Sequence, residues 1–170
     1  MSSLVNETNR LRINGDTLTP ISIFNRLKGD RKFLLESSLK HEESGRYSFI
    51  GSNPMKEYRG FEKELLETDL RTKEIKRHIG KPLDVLKTLL TFTEDEDDFP
   101  FTGGAVGYIG YDVIAQYESI GIQLLDDRDM PDIHLLVYET IIVYDHLKQD
   151  VTIIHRGTDP SELTNIQEQL

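Results

Sequence analysis

Five histidines, His41, His78, His134, His146 and His155, are the first residues to test for metal or acid–base chemistry. None has a partner four positions on, the spacing that sets two imidazoles on one helical face for zinc. The run Glu94 to Asp98 is five consecutive acids. Their side chains diverge, and the stretch lacks the glycine and alternate spacing of a calcium loop, so it reads as a solvated linker. Gly103, Gly104, Gly107 and Gly110 form a glycine-rich stretch, but its spacing fits neither a P-loop nor a dinucleotide fingerprint. Tight sheet packing is the simpler reading. No Gly-x-Ser-x-Gly elbow occurs and no Ser-His-Asp set can be nominated, so the sequence offers no catalytic residue and no metal ligand.

Glu36-Ser37 is different in kind. A carboxylate beside a hydroxyl, at the end of the apolar run Phe33-Leu34-Leu35, can fix a small polar ligand. The acid would hold an ammonium group, and the serine would donate or accept. The plain alternative is a strand end facing solvent. Arg46 could grip a carboxylate, or form an ordinary surface pair.

These residues need elements to place them. Thr19 can cap the first turn of a helix with Pro20 at its first position, Ile21, Phe24 and Leu27 on one face and Gly29 as its stop. Phe33 to Leu35 reads as a buried strand ending at Glu36-Ser37. Lys40 to Gly45 reads as a polar loop, Tyr47 to Ile50 as a second strand, and Gly51 to Pro54 as a turn. Met55 to Ile79 suggests an exposed antiparallel meander with turns at Gly60 and near Thr68-Asp69. Pro82 to Phe92 reads as a helix with Leu83, Leu86 and Leu90 on one face. Ala105 to Ile109 reads as a strand approached closely by another backbone, and Tyr111 to Tyr117 as a short helix. Ile133 to Tyr144 is mostly apolar on both alternating sets, which predicts one central strand covered on both faces. A turn at His146 to Gln149 then leads into Val151 to His155 as a hairpin. Asp159-Pro160-Ser161 opens a last helix whose Leu163, Ile166 and Leu170 need a surface to pack on. That helix predicts that more chain follows.

The fold class expected is therefore α+β: mainly antiparallel sheet with a few flanking helices, one domain over residues 1–170. The composition is that of an ordinary globular protein, with 37% hydrophobic residues and no apolar run long enough to span a membrane. A net charge of −10 argues against nucleic acid as a partner. With no cysteine present, a reducing cytoplasm is the simplest location.

Three stretches in register carry a resemblance. Asp16-Thr17-Leu18-Thr19-Pro20 leads to Phe33-Leu34-Leu35-Glu36-Ser37 and Gly45-Arg46-Tyr47-Ser48-Phe49-Ile50-Gly51. Pro100-Phe101-Thr102-Gly103-Gly104-Ala105-Val106-Gly107-Tyr108 follows, with Tyr111-Asp112, and then Met130-Pro131-Asp132 before the long strand. Together they resemble the N-terminal region of the large, chorismate-binding subunit of anthranilate synthase, from about Gly15 to His155. The resemblance implies that the chain is part of a larger, sandwich-like enzyme that converts chorismate to anthranilate and pyruvate. It implies Mg²⁺ as cofactor and ammonia from a glutamine amidotransferase subunit as partner. Catalytic and magnesium-binding residues would lie in a C-terminal chorismate-binding region beyond this chain, so the fragment would hold no cofactor and make no anthranilate. The N-terminal region would instead help form a tryptophan pocket for feedback inhibition, with Ser37 as the contact, Glu36 in the same motif and Arg46 at a position basic in some relatives. The sister enzyme of folate synthesis, aminodeoxychorismate synthase, shares the glycine-rich landmark and much of the Leu-Leu-Glu-Ser region. Thr17-Leu18-Thr19-Pro20 favours anthranilate synthase. A stand-alone small-molecule binding module is the reading from a different class.

Overall fold

The computed structural model describes residues 8–36, 45–90, 99–119 and 130–170. Ser37, the Lys40 to Gly45 loop up to position 44, the end of the second helix at Phe92 and the acidic run Glu94 to Asp98 lie outside the described residues. The chain divides into two units, each built on one five-stranded sheet with few helices. This is the α+β, mainly antiparallel class expected.

The first unit takes in 8–36, 45–54, 99–104 and 138–170. Its strands are β1 (Asn9–Asn14), β2 (Phe33–Glu36), β3 (Tyr47–Gly51), β9 (Thr140–Asp145) and β10 (Asp150–His155), ordered β1-β10-β9-β3-β2 with every pairing antiparallel. Helix α1 (Pro20–Arg26) opens as its sequence requires: Thr19 Oγ1 accepts from the Ser22 amide, and Ser22 Oγ accepts from the Thr19 amide. Leu27 and Phe24 lie on its inward side as expected, but Ile21 does not. Ile23 and Leu27 are fully buried while Ile21 is 55% exposed, because the side that meets β2 and β3 runs through Pro20, Ile23 and Leu27. Helix α3 (Ser161–Gln167) also has its surface. It packs on β10 and β1, and Leu163, Ile166 and Leu170 join Ile142, Val151 and Ile153 in the core. The expectation that this helix lacks a partner is thereby corrected.

Strand β1 went unread in the sequence, although Leu11 and Ile13 point to the core and Arg10 and Arg12 alternate with them. Strand β2 is an edge strand, so Leu35 is 44% exposed rather than buried. On the sheet face away from the helices, Phe33 meets Tyr138 edge-on at 4.7 Å, and Phe49 meets Phe101 at 5.6 Å. Arg156 ties the 99–104 segment to this unit, donating from Nη2 to Thr102 Oγ1 at 2.6 Å and from Nε to its carbonyl at 3.2 Å.

The second unit takes in 55–90, 105–119 and 130–137. Its sheet runs β6 (Ile75–Ile79), β5 (Glu64–Asp69), β4 (Lys56–Phe61), β8 (Ile133–Tyr138) and β7 (Gly104–Ile109). The first three strands form the expected meander, but it is not exposed throughout: Tyr58 and Leu65 are buried and β4 is interior to the sheet. Helix α2 (Pro82–Leu89) lies on β5 and closes a core of Tyr58, Leu65, Leu86, Val113 and Ile133. Gly60 is not a turn. It sits inside β4 where a Cβ would come within 2.8 Å of Pro82 and 3.1 Å of Ile133, so the missing side chain is what lets the helix start approach the strand. The strand at Gly107 is approached by another backbone as expected: a Cβ there would lie 2.0 Å from the carbonyl oxygen of His134. A 3₁₀ turn at Tyr111–Gln116 follows.

The run Ile133 to Tyr144 is two strands, not one. It bends at Glu139, and β8 joins one sheet while β9 joins the other. Each is interior to its own sheet, so both alternating sets are mostly apolar and the pattern hides the break. The hairpin to β10 forms as expected, with Gln149 at φ 54° in its turn.

Candidate functional site

Two of the residues singled out in the sequence, Glu36 and Arg46, belong to one end of the first sheet. Glu36 is the last residue of β2, and Arg46 precedes the first residue of β3. Ser37 lies outside the described residues. The register sets Glu36 opposite Ser48, and Ser48 opposite Tyr144. Directly opposed residues share a face, and this is the face that also carries Ile50 and Ile142 into the helix-covered core. Ser48 is a polar residue at an inward position and is wholly buried. Its hydroxyl lies 3.4 Å from Glu36 Oε1 and 2.8 Å from His146 Nε2. His146 is anchored in turn, its amide donating to the Arg46 carbonyl at 2.8 Å and its ring meeting the Tyr144 ring at 4.9 Å. The structure thus assembles Glu36 and Ser48 from two neighbouring strands and His146 from the turn after a third.

Arg46 turns the other way. Its guanidinium holds the Asp145 carboxylate with both ends of the fork, Nε to Oδ1 at 3.1 Å and Nη2 to Oδ2 at 2.7 Å. It also lies 4.9 Å from the centre of the Tyr47 ring. Burial opposes the charge on Asp145, but the Arg46 fork and the amides of Lys148 and Leu147 outweigh it and hold the carboxyl below its ordinary range. Asp145 is thereby also the residue that shapes the β9–β10 turn. Arg46 borders a pocket of about 440 Å³ on the sheet face away from the helices, together with Arg10, Arg12, Lys148, Tyr47 and Phe99. Asp145 and Asp150 also line it, and Asp150 pairs with Arg12. Four basic and two acidic side chains leave this pocket mildly positive in a chain of net charge −10.

The second unit holds its own charged group on the helix-covered face of its sheet. Glu67, 8% exposed, accepts from Lys56 Nζ at 2.7 Å and lies 2.9 Å from His78 Nε2. Burial disfavours the charge on Glu67, yet Lys56 and His78 together hold the carboxyl below its ordinary range. The group faces β4, β5 and β6 and reads as a structural ion cluster.

Sequence reasoning missed Ser48, Asp145 and His146. The one local sign was Ser48 at core parity between Tyr47 and Phe49, a polar group where an apolar one was due.

Known proteins resemble this chain in sequence and in structure. The profile of the family described as chorismate binding enzyme matches residues 30–170. The chain belongs to that family. Among individual proteins it is similar to anthranilate synthase component 1 of Lactococcus lactis, 34% identical over 149 residues, which are 86% of this chain and 32% of that protein. It is also similar to aminodeoxychorismate synthase component 1 of Bacillus subtilis, 37% identical over 138 residues, covering 77% of this chain and 28% of the relative. The crystal structure of anthranilate synthase component I from Streptococcus pneumoniae TIGR4 aligns at a TM-score of 0.56 and 33% identity, over 92% of this chain and 35% of that one. The chain spans about a third of the length of these relatives.

Proposed function

We propose that this chain is the tryptophan-binding, regulatory portion of an anthranilate synthase component I, an enzyme that converts chorismate and ammonia to anthranilate and pyruvate. The observation that carries the reading is Glu36. It closes β2 at the point where the chain enters Ser37, and its carboxylate is backed by the buried hydroxyl of Ser48. A fixed anion of this kind suits the ammonium group of an amino acid, and the neighbouring serine suits its polar backbone-like atoms. Arg46 enters this reading as a carboxylate grip only by exchanging Asp145 for the ligand, since its fork is engaged.

Regulation then means that tryptophan and chorismate prefer different arrangements of the enzyme. Among the described residues no three His, Asp or Glu side chains gather as a metal site. The Mg²⁺ of this chemistry is proposed to be held elsewhere in the enzyme, as is chorismate itself. Ammonia would come from a glutamine amidotransferase subunit, and the setting would be the cytoplasm. The test is Ser37→Phe in the full-length protein, which should relieve tryptophan inhibition while sparing turnover. Unchanged inhibition removes Ser37 from the pocket.

A second reading has its own support. The Bacillus subtilis aminodeoxychorismate synthase component 1 is 37% identical to this chain over 138 residues, against 34% over 149 for the Lactococcus lactis anthranilate synthase component 1. Chorismate consumed with ammonia but without anthranilate would decide for it.

A further inference from the structure

We infer that Ser48 and His146 are positioning residues for the ligand-binding carboxylate of Glu36, joined to it in a hydrogen-bond relay of fixed direction. The inference rests on the tryptophan-binding reading of Glu36 and specifies how that residue is held.

The direction follows from counting protons. A serine hydroxyl has one hydrogen to give and two lone pairs to receive with, while a carboxylate only accepts. Ser48 Oγ lies between Glu36 Oε1 at 3.4 Å and His146 Nε2 at 2.8 Å. Its single hydrogen therefore goes to Glu36, and the contact with His146 is made by an Nε2–H donating to Ser48. Neutral imidazole carrying its proton on Nε2 and charged imidazolium both satisfy this; the other neutral tautomer does not. Ser48 is wholly buried, so water does not replace either partner, and an unmade bond there would be costly. Glu36 and His146 are both exposed at the sheet end. Glu36 sits on an edge strand, where a free carboxylate would sample several rotamers in water. The relay draws it against the sheet, which removes that freedom before a ligand arrives.

His146 itself is held at two points that do not involve its Nε2. Its amide bonds the Arg46 carbonyl, and the Tyr144 ring lies against the imidazole. The register then brings the pieces together: β2 supplies the acid, β3 the hydroxyl, and the turn after β9 the donor. Residues 12 and 98 positions apart in the chain meet within one hydrogen-bonded row.

The experiment uses the full-length gene product, with the tryptophan inhibition constant, the chorismate KM and the melting temperature measured for each variant. Glu36→Gln should raise the inhibition constant and leave the chorismate KM unchanged. Ser48→Ala and His146→Leu should each raise it about tenfold, which corresponds to about 1.4 kcal/mol, again without moving KM. His146→Gln should restore most of the loss, because glutamine places an amide N–H where Nε2–H stood while giving up the same ring contact with Tyr144. His146 is exposed, so its variants decide the matter even if Ser48→Ala folds poorly. An effect of Glu36→Gln with none from either His146→Leu or Ser48→Ala overturns the relay alone. Equal losses in His146→Gln and His146→Leu overturn the donor assignment. No effect from Glu36→Gln overturns the relay together with the reading beneath it.

Discussion

Gly107 offers the sharpest test of how the second sheet is built. Substitution by alanine would place a Cβ 2.0 Å from the carbonyl oxygen of His134 and 3.0 Å from the Cα of Leu135. Ordinary contact starts near 3.4 Å, so β7 must move by about 1.4 Å against β8. The obstacle is backbone, which has no rotamer to change. Inter-strand hydrogen bonds are lost beyond about 3.2–3.5 Å, so a shift of this size opens two of them at roughly 1 kcal/mol each. Overpacking adds about 1–3 kcal/mol. The expected loss is about 3–5 kcal/mol, and for a chain of this size about 6–20 °C in melting temperature. Thermal and urea unfolding followed by far-ultraviolet circular dichroism measure it, with Gly107→Val expected to be worse. A loss below about 0.5 kcal/mol would refute the close-approach reasoning. A stable variant that no longer binds ligand would reassign the glycine to the site.

Three other outcomes follow from the same geometry. Thr19→Ala removes the cap of α1 and its reciprocal bond with Ser22, which should cost about 1 kcal/mol in urea unfolding. Ile166→Ala opens a cavity where α3 meets β10 and should cost about 2–4 kcal/mol; a neutral result would detach α3 from the core. Acid should unfold the protein through Asp145 and Glu67, whose folded carboxyls lie below their ordinary range. Their contribution is fully present above the unfolded values of about 4 and is lost as pH falls through the folded ones. The urea midpoint should hold level from pH 7 to about 5 and then drop. Asp145→Asn should lower that plateau and flatten the drop, and a midpoint that rises with acid would contradict the assignment.

What was legible in the sequence was local. Thr19-Pro20 announced the start of α1 because a cap and a fixed φ act within one turn. The β9–β10 hairpin was readable because two apolar strands flank a short polar turn. What was not legible depended on partners distant in the chain. Glu139 divides two sheets without a glycine or proline to mark it, between strands that are mostly apolar on both faces. Gly60 resembled a turn because the need for space beside Pro82 is visible only once α2 lies on the sheet. Ile21 and Ile23 are equally apolar, and the placement of β2 and β3 decides which is buried. At the site, Glu36 could be singled out as a strand-end acid. Its bond to Ser48, and the bond from Ser48 to His146, exist only through the β2–β3–β9 register. Arg46 was read as a group able to grip a carboxylate, and the carboxylate it grips is Asp145 of its own chain.

The most direct test of the central claim uses the full-length gene product with chorismate, Mg²⁺ and ammonia, following anthranilate fluorescence with and without tryptophan. The account predicts anthranilate whose formation stops when tryptophan is added. Anthranilate formed at an unchanged rate in the presence of tryptophan would contradict the regulatory role, and chorismate consumed without anthranilate would contradict the enzyme assignment.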